Sequence, residues 1–373
     1  MENYQMIAKT LAGLENELFN ELELLGAVNI SKRKRAVSFD GDDALMMKAN
    51  MALRTSISIL IPIMEFEAND EYELYDQAFA VQWEEIFGLK DTFALTATVS
   101  GSIFTHSQYA ALKTKDAIVD RFRKKFKSRP DVDTVNADYQ FNVHIQHNQC
   151  TISLNSSGDT LNKRGYREFA SEAPLNEVLA AGIILKSGWN GTDDLYDPMS
   201  GSGTFAIEAA LIANNIAPNL HRSFGFQRWS DYNRELFYTV KKELESEIRE
   251  SETIIYCRDL LTENIDNISS NVENAGISEL LKIRREDFFM SEKKGEKGIV
   301  FLNPPYGERL QMEEINTFYK NIGDQLKKHY SNHEAWIISS NLEALKFFGL
   351  KPESREQMFN GGLECKLNHY KLY

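Results

Sequence analysis

Two stretches of this chain carry residue types whose spacing can do chemistry. The first is Asn303-Pro304-Pro305-Tyr306. Two prolines fix φ and supply no N–H, so they hold the Asn303 side chain and the Pro304 carbonyl as rigid acceptors beside an aromatic ring. Such a site suits a planar exocyclic amine, a poor nucleophile because its lone pair is delocalised. Accepting both of its N–H bonds draws the nitrogen toward a tetrahedral, attack-ready geometry, with Tyr306 stacked on the flat base. A Pro-Pro turn at a strand end can also be merely structural. The second stretch is DPMSGSGTFAIEAA, Asp197 to Ala210. Gly201 and Gly203 lack a Cβ, so the backbone can take positive φ and lie close to a ligand whose polar groups meet the free N–H groups of a helix N-terminus. A nucleotide-like cofactor fits there. With Ala206 the glycines satisfy G-x-G-x-x-G/A, which does not separate NAD from other adenosine-bearing cofactors and also occurs in ordinary strand-to-helix turns. No Lys follows them, which argues against an NTPase.

The elements around these stretches must position them. Asp194 to Tyr196 reads as a buried strand and Thr204 to Asn214 as an apolar helix. After a long aromatic and charged insertion, Pro218 to Glu250, come a strand ending at Asp259, a helix with Asn271, a short strand ending near Asp287, and the apolar strand Ile299 to Leu302. In an open parallel α/β sheet, ligands bind at the carboxyl ends of strands, so Asp197, Asp259, Asp287 and Asn303 should converge on one crevice. NAD folds place the ribose-binding acid about 20 residues after the glycines, and Asp259 lies much further on, which lowers the NAD reading. Asp287 either accepts from an adenine amine or caps the turn at Phe288 and Phe289.

The rest of the chain supplies other surfaces. Tyr4 to Met64 reads β-α-β-β-α-β, a ferredoxin-like order. Its cluster Lys32, Arg33, Lys34 and Arg35 is a solvated turn tip by default. Pro62 and the acidic run Glu65 to Glu73 mark a boundary. A helix is expected over Tyr75 to Phe87, a strand over Phe93 to Ser100, a helix over Tyr109 to Lys127, and a strand pair turning at Asn148. In the second of these helices, Phe122 and Phe126 should face inward. Arg121, Arg123, Lys124, Lys125, Lys127 and Arg129 then line its sides and end, where they either complement the helix dipole or bind phosphate. Asn155 to Arg167 reads as a connector, and a helix from Leu175 to Lys186 should begin behind Pro174.

Composition bounds the partners. The chain has 373 residues, 42% of them hydrophobic, with a net charge of −13. Two or three domains are expected, and any nucleic-acid contact must be local because the whole surface is acidic. Cys150, Cys257 and Cys365 form no C-x-x-C pair, which suits reduced thiols in a cytoplasmic protein. No metal site, signal peptide or membrane span is expected.

On NPPYGERL (Asn303 to Leu310), together with LNSSGDTLNKRGYRE, EAPLNEVLAAGII, DPMSGSGTFAIEAA, HRSFGFQRW and NGGLECKLNHYKL, the chain resembles the bacterial THUMP-containing RNA (guanine-N2)-methyltransferases. The likeness is greatest to the guanine-N2-methylating part of RlmL-type 23S rRNA enzymes, and it covers nearly the whole chain. It implies an α/β chain with three parts: a ferredoxin-like α+β domain over 1–64, a THUMP RNA-binding domain over 65–157, and a class I, Rossmann-like methyltransferase domain over 158–373. It also implies S-adenosylmethionine as cofactor and a terminal antiparallel hairpin turning at Asn360 to Gly362.

Carried over position by position, Asp197, Gly201 and Gly203 face the methionine part of the cofactor, Asp259 its ribose and Asp287 its adenine. Asn303, Pro304 and Tyr306 hold the target base. Leu260 and Leu261 depart from the pattern, because the family often has another acid after Asp259. The second methyltransferase that some members carry is expected to be absent, since the likeness stops at Tyr373. The expected substrate is a guanine of 23S rRNA. A tRNA guanine enzyme and a noncatalytic RNA-binding protein with a decayed methyltransferase fold are the alternatives, and the THUMP-like domain disfavours DNA adenine.

Overall fold

The computed structural model describes residues 2–168, 174–292, 296–305 and 312–373. Strand β1 (Tyr4–Lys9), helix α1 (Glu15–Leu24), β2 (Val28–Arg33), β3 (Ala36–Gly41), α2 (Asp43–Ala52) and β4 (Ser58–Glu67) open the chain. Then come α3 (Glu71–Ala80), β5 (Thr92–Ser100), α4 (Ser107–Phe126), β6 (Asp131–Val132), β7 (Tyr139–Gln146) and β8 (Gln149–Asn155). Their strands form one eight-stranded sheet of order β2-β3-β1-β4-β8-β7-β5-β6. Within it, β1 to β4 have the expected antiparallel ferredoxin-like pairing.

The expected boundary after residue 64 falls inside β4, which pairs with β1 on one side and β8 on the other. Pro62 sits at a register shift between Pro62 and Met64. A proline without an N–H is tolerated at a bulge, so it bends the strand without ending it.

Two helix expectations change. The helix expected over Tyr75 to Phe87 begins earlier, where Asp70 Oδ1 accepts from the N–H groups of Tyr72 and Glu73 at 2.9 and 2.8 Å. It stops at Ala80, because Val81 is extended and buried Trp83 folds back to donate its indole N–H to the Ala78 carbonyl at 2.7 Å. In α4, Phe122 is buried as expected, but Phe126 is 43% exposed at the final turn, just before Lys127 takes a left-handed φ of 59°.

The remaining elements are α5 (Glu177–Lys186), β9 (Asp194–Asp197), α6 (Thr204–Ala213), α7 (Arg234–Ser246), β10 (Ile255–Asp259) and α8 (Thr262–Asn274). They continue with β11 (Leu281–Arg285), β12 (Gly298–Leu302), α9 (Met312–His329), β13 (His333–Ser339), β14 (Ser354–Asn360) and β15 (Leu363–Lys371). Helix α5 is capped by Asn176, whose Oδ1 accepts from Val178 and Leu179 N–H, and not by Pro174. The sheet order is β11-β10-β9-β12-β13-β15-β14, parallel except for the final hairpin. β9 has its two neighbours reached by opposite crossovers, so the crevice above it is the switch point where such sheets bind ligands.

The start of the chain packs against the domain built on the second sheet. Leu11 and Leu14 belong to the same buried cluster as Leu179, Ile183 and Phe205. Gly182 on α5 permits this, since a Cβ there would meet Leu14 Cδ1 at 2.4 Å. The aromatic insertion serves the same join: Phe224, Phe226 and Phe237 pack with Phe39, Met46 and Met47 of the first domain. No helix among the described residues is long and apolar enough to cross a membrane.

Candidate active site

Four parallel strands deliver their C-terminal residues to one edge. Asp197 ends β9, Asp259 ends β10, Asp287 follows β11 and Asn303 follows β12, so the structure brings the sequence-derived polar set together.

The loop between β9 and α6 is fixed by its backbone. Gly201 and Gly203 have φ of 56° and 84°. A Cβ on Gly203 would also meet Ile268 at 3.3 Å, so glycine is required for conformation and for space. Ser200 stitches the loop to β10: its N–H donates to the Arg258 carbonyl at 2.9 Å, and its hydroxyl accepts from Arg258 N–H at 3.1 Å. Helix α6 has no side-chain cap, and all ten of its residues are buried. Its first-turn N–H groups can take a polar ligand, apart from that of Ala206, which faces Asp197.

Asp197 is 1% exposed, and no hydrogen bond of full geometry from the described residues reaches either carboxylate oxygen. Burial pushes its carboxyl up to about 8, the Ser200 hydroxyl and the Ala206 N–H offset part of that rise, and the neighbouring Asp259 charge adds to it. A buried carboxylate so weakly partnered is costly unless a cation arrives to pair with it. This is an observation for a ligand ammonium beside the glycine loop.

Asp259 is only 8% exposed and heavily used. Its Oδ2 accepts from Gly201 N–H at 2.9 Å, and Oδ1 accepts from Leu261 N–H and the Asn264 amide, each at 3.0 Å. A carboxylate has about four acceptor directions, so this orientation leaves capacity for a hydroxyl. Leu260 and Leu261 are 54% and 57% exposed, placing apolar surface at the rim. Asp287 Oδ1 accepts from Phe289 N–H at 2.9 Å, the capping role weighed above, with the second oxygen left over.

Asn303 is half-buried, Pro304 buried and Pro305 exposed. Tyr306 lies outside the described residues. Behind the turn, the buried Tyr319 hydroxyl lies 2.6 Å from Ser339 Oγ and donates to the Pro305 carbonyl at a long 3.4 Å.

The family follows from a comparison of the whole chain. A model of the RMKL-like methyltransferase domain matches residues 164–369, more than half of it. The chain belongs to the RMKL-like methyltransferase family. Ahead of that domain, the RlmL ferredoxin-like domain matches residues 5–60 and the THUMP domain residues 68–155. The three expected domain types are therefore present in the expected order.

The ribosomal RNA large subunit methyltransferase K/L of Syntrophotalea carbinolica is 37% identical over 375 residues, covering 96% of this chain and 52% of that relative. The chain thus spans about half the length of the relative it matches. A possible methylase from Clostridium difficile 630 superposes with a TM-score of 0.91 at 30% identity, covering 100% of this chain and 99% of that one. SMU.472, a methyltransferase solved as a complex with SAH, superposes with a TM-score of 0.88 at 26% identity, with 100% and 99% covered.

Within this RMKL-like fold, two residues at the cofactor loop have roles that the sequence reading did not assign. Buried Asn271 on α8 donates to the Ser202 carbonyl and accepts from Glu168 N–H, both at 3.0 Å. Arg167 donates to the Thr204 hydroxyl at 2.8 Å. Both are single polar residues whose partners are far away in sequence, so no local pattern marked them.

The candidate RNA-binding residues on α4 divide. Arg121 donates to Glu84 at 2.6 and 3.1 Å and Lys125 at 2.8 Å, and the Glu84 side chain is 4% exposed. Those hydrogen bonds, Arg121 first, hold the Glu84 carboxyl down at about 2. Arg123 pairs with Asp120 at 3.2 Å. Lys124 lies 5.2 Å from the centre of the Phe79 ring, and Lys127 caps the helix. A cleft of about 350 Å³ beside α4 is lined by Lys113, Lys115, Arg123 and Arg129 with Asp116 and Asp120.

Proposed function

We propose that the chain is an S-adenosylmethionine-dependent RNA methyltransferase that modifies the exocyclic N2 amine of a guanine in 23S rRNA, working in the cytoplasm. The observation that carries this reading is the buried, weakly partnered Asp197 carboxylate beside the glycine loop, on the same sheet edge as Asn303-Pro304-Pro305. The relative named as a large-subunit rRNA methyltransferase and the SAH-bound neighbour support it.

The residues fit the cofactor. Asp197 accepts from its ammonium, the Gly201–Gly203 backbone lies against its methionine part, Asp259 takes the ribose hydroxyls and Asp287 the adenine amine. When bound, the cofactor supplies a methyl group made electrophilic by a sulfonium. Asn303 Oδ1 and the Pro304 carbonyl accept the two N–H bonds of the guanine amine and aim its nitrogen at that methyl group. Tyr306 stacks on the base. With the cofactor bound, the amine nitrogen pair would form the new N–C bond as the C–S pair returned to sulfur, and the surplus amine proton would leave through Asn303 or the Pro304 carbonyl to water. No strong base is required, because the amine becomes acidic only as the methyl group arrives; orientation carries the rate. A base inside a duplex cannot reach the site, so the guanine is extruded.

On the RNA side, the basic α4 residues Arg121, Arg123, Lys124, Lys125 and Lys127 supply phosphate contacts. Lys124 is best placed, because Arg121 and Lys125 already neutralise Glu84.

The test is methyl transfer from labelled S-adenosylmethionine to 23S rRNA, followed by nucleoside mass spectrometry. N2-methylguanosine is expected. A methylated cytosine or adenine amine keeps the chemistry and overturns the substrate, and no transfer despite cofactor binding overturns the enzyme.

A further inference from the structure

A cavity of about 570 Å³ is lined by Lys163, Arg164, Arg167, Asn176, Glu177, Asn360 and Leu363. Its walls are set by the sheet. β15 runs antiparallel to β13 with Lys366 opposite Ser339, so the β14–β15 tip stands beyond the carboxyl ends of the parallel strands. There Asn360 Oδ1 accepts from Asn176 N–H at 3.0 Å, tying the tip to the start of α5. The other wall is formed by residues 162–167. In it Arg164 donates to the Leu161 and Arg54 carbonyls at 2.8 and 2.6 Å, and Arg167 donates to the Leu175 carbonyl and the Thr204 hydroxyl, each at 2.8 Å. Thr204 opens α6, so this cavity borders the same edge as the glycine loop and Asn303.

Cations gather at this cavity, as they do at the cleft beside α4, against an acidic whole surface. The chain carries a net −13, yet among the described residues three cations line this space against one carboxylate, Glu177, which pairs with Arg167 at 3.3 Å. Arg164 pairs with Glu208 at 3.4 Å. Among the described residues Lys163 pairs with Asp159 alone, at 3.5 Å, with the two side chains 65% and 70% exposed. An exposed pair of that length contributes little, so the ammonium is available to a ligand. Leu363, 42% exposed, adds an apolar surface for a base or ribose. The volume lies in the range of small-ligand sites, roughly 300–1,000 Å³.

An extruded base brings its flanking phosphates against the protein, and on an acidic surface these need local cations. We propose that this cavity seats a nucleotide flanking the target guanine, with its phosphodiester on Lys163. The proposal rests on the reading that the substrate is RNA.

It is tested on the full chain with a fluorescently labelled single-stranded 23S rRNA fragment, titrated by anisotropy at several salt concentrations. Lys163→Glu should weaken RNA binding at least fivefold and lower the slope of log K against log salt by about 0.7, the value for one single-strand phosphate. Lys346→Glu, a surface charge reversal elsewhere, controls for net charge, and calorimetric S-adenosylmethionine affinity should stay at the wild-type value in both. A Lys163→Glu effect no larger than that of Lys346→Glu overturns the subsite. Wild-type protein that binds the RNA but transfers no methyl group removes the methylation reading alone, because the slopes still decide the subsite. Wild-type protein that binds no RNA overturns both.

Discussion

The N–H of Gly201 donates to Oδ2 of Asp259 at 2.9 Å, joining the loop after β9 to the acid that ends β10. One carboxylate therefore shapes the glycine loop and faces the crevice that the loop borders. Asp259→Ala removes the loop anchor and the acceptor for ribose hydroxyls together. Charge-assisted bonds of this kind are worth about 1.5–3 kcal/mol, so S-adenosylmethionine affinity should fall tenfold or more in calorimetry. An unchanged affinity would remove Asp259 from the cofactor site.

Asp197 gives a pH signature. Its carboxyl is raised by burial from 3.8 to about 8, so between those values the folded protein holds a proton that the unfolded chain has released. The stability contribution is present below about pH 3.8 and is lost as pH rises toward 8. The Tm of ligand-free protein should accordingly decline across this window, and Asp197→Asn should flatten the decline. Cofactor affinity should run the other way, rising with pH up to about 8, because pairing with an ammonium requires the ionised carboxylate. Calorimetry at pH 6, 7 and 8 checks the sign, and an affinity that falls over this range defeats the pairing.

Asn303 should act on transfer and not on cofactor binding. Removing a preorganised electrostatic partner typically costs about a hundredfold or more in rate. Asn303→Ala should show that loss in single-turnover methyl transfer with unchanged S-adenosylmethionine affinity. Tyr306→Ala should lose roughly 1–3 kcal/mol of base stacking, while Tyr306→Phe keeps most activity because the ring is the working part. Near-wild-type turnover of Asn303→Ala on rRNA would defeat the mechanism.

On the basic helix, Arg121 and Lys125 pair with Glu84, whereas Lys124 makes no ion pair among the described residues. Lys124→Glu should lower the salt slope of RNA binding by about 0.7 to 0.9 without moving Tm. Arg121→Ala leaves the Glu84 carboxylate, 4% exposed, with Lys125 alone, and should lower Tm by roughly 2–4 °C for each kcal/mol lost. Because the Glu84 carboxyl is held down at about 2, its contribution is present above the ordinary value of 4.5 and is lost as pH falls toward 2. The Tm deficit of Arg121→Ala should therefore shrink in acid; a deficit that is constant from pH 7 to pH 3 would show that Arg121 acts by packing alone.

The sequence by itself determined the chemistry and the order of the parts. Strand periodicity, the glycines after Asp197 and the acids at strand ends are local patterns, and a parallel sheet sends all its strand C-termini to one edge. Asp197, Asp259, Asp287 and Asn303 could therefore be placed together before any coordinates. Tertiary structure decided what depends on partners distant in the chain. Asp259 shows it: its sequence position suggested a ribose contact, but only folding brought the Gly201 N–H to it across 58 residues. Arg121 and Lys125 read in sequence as cations on a helix side, and only folding brings Glu84, 37 and 41 residues earlier, to pair with both. Pro62 looked like a domain end, yet a bulge absorbed it and β4 ran on to join two domains in one sheet. In each case a single side chain's local preference was outweighed by hydrogen bonds or charges that exist only once remote segments pack.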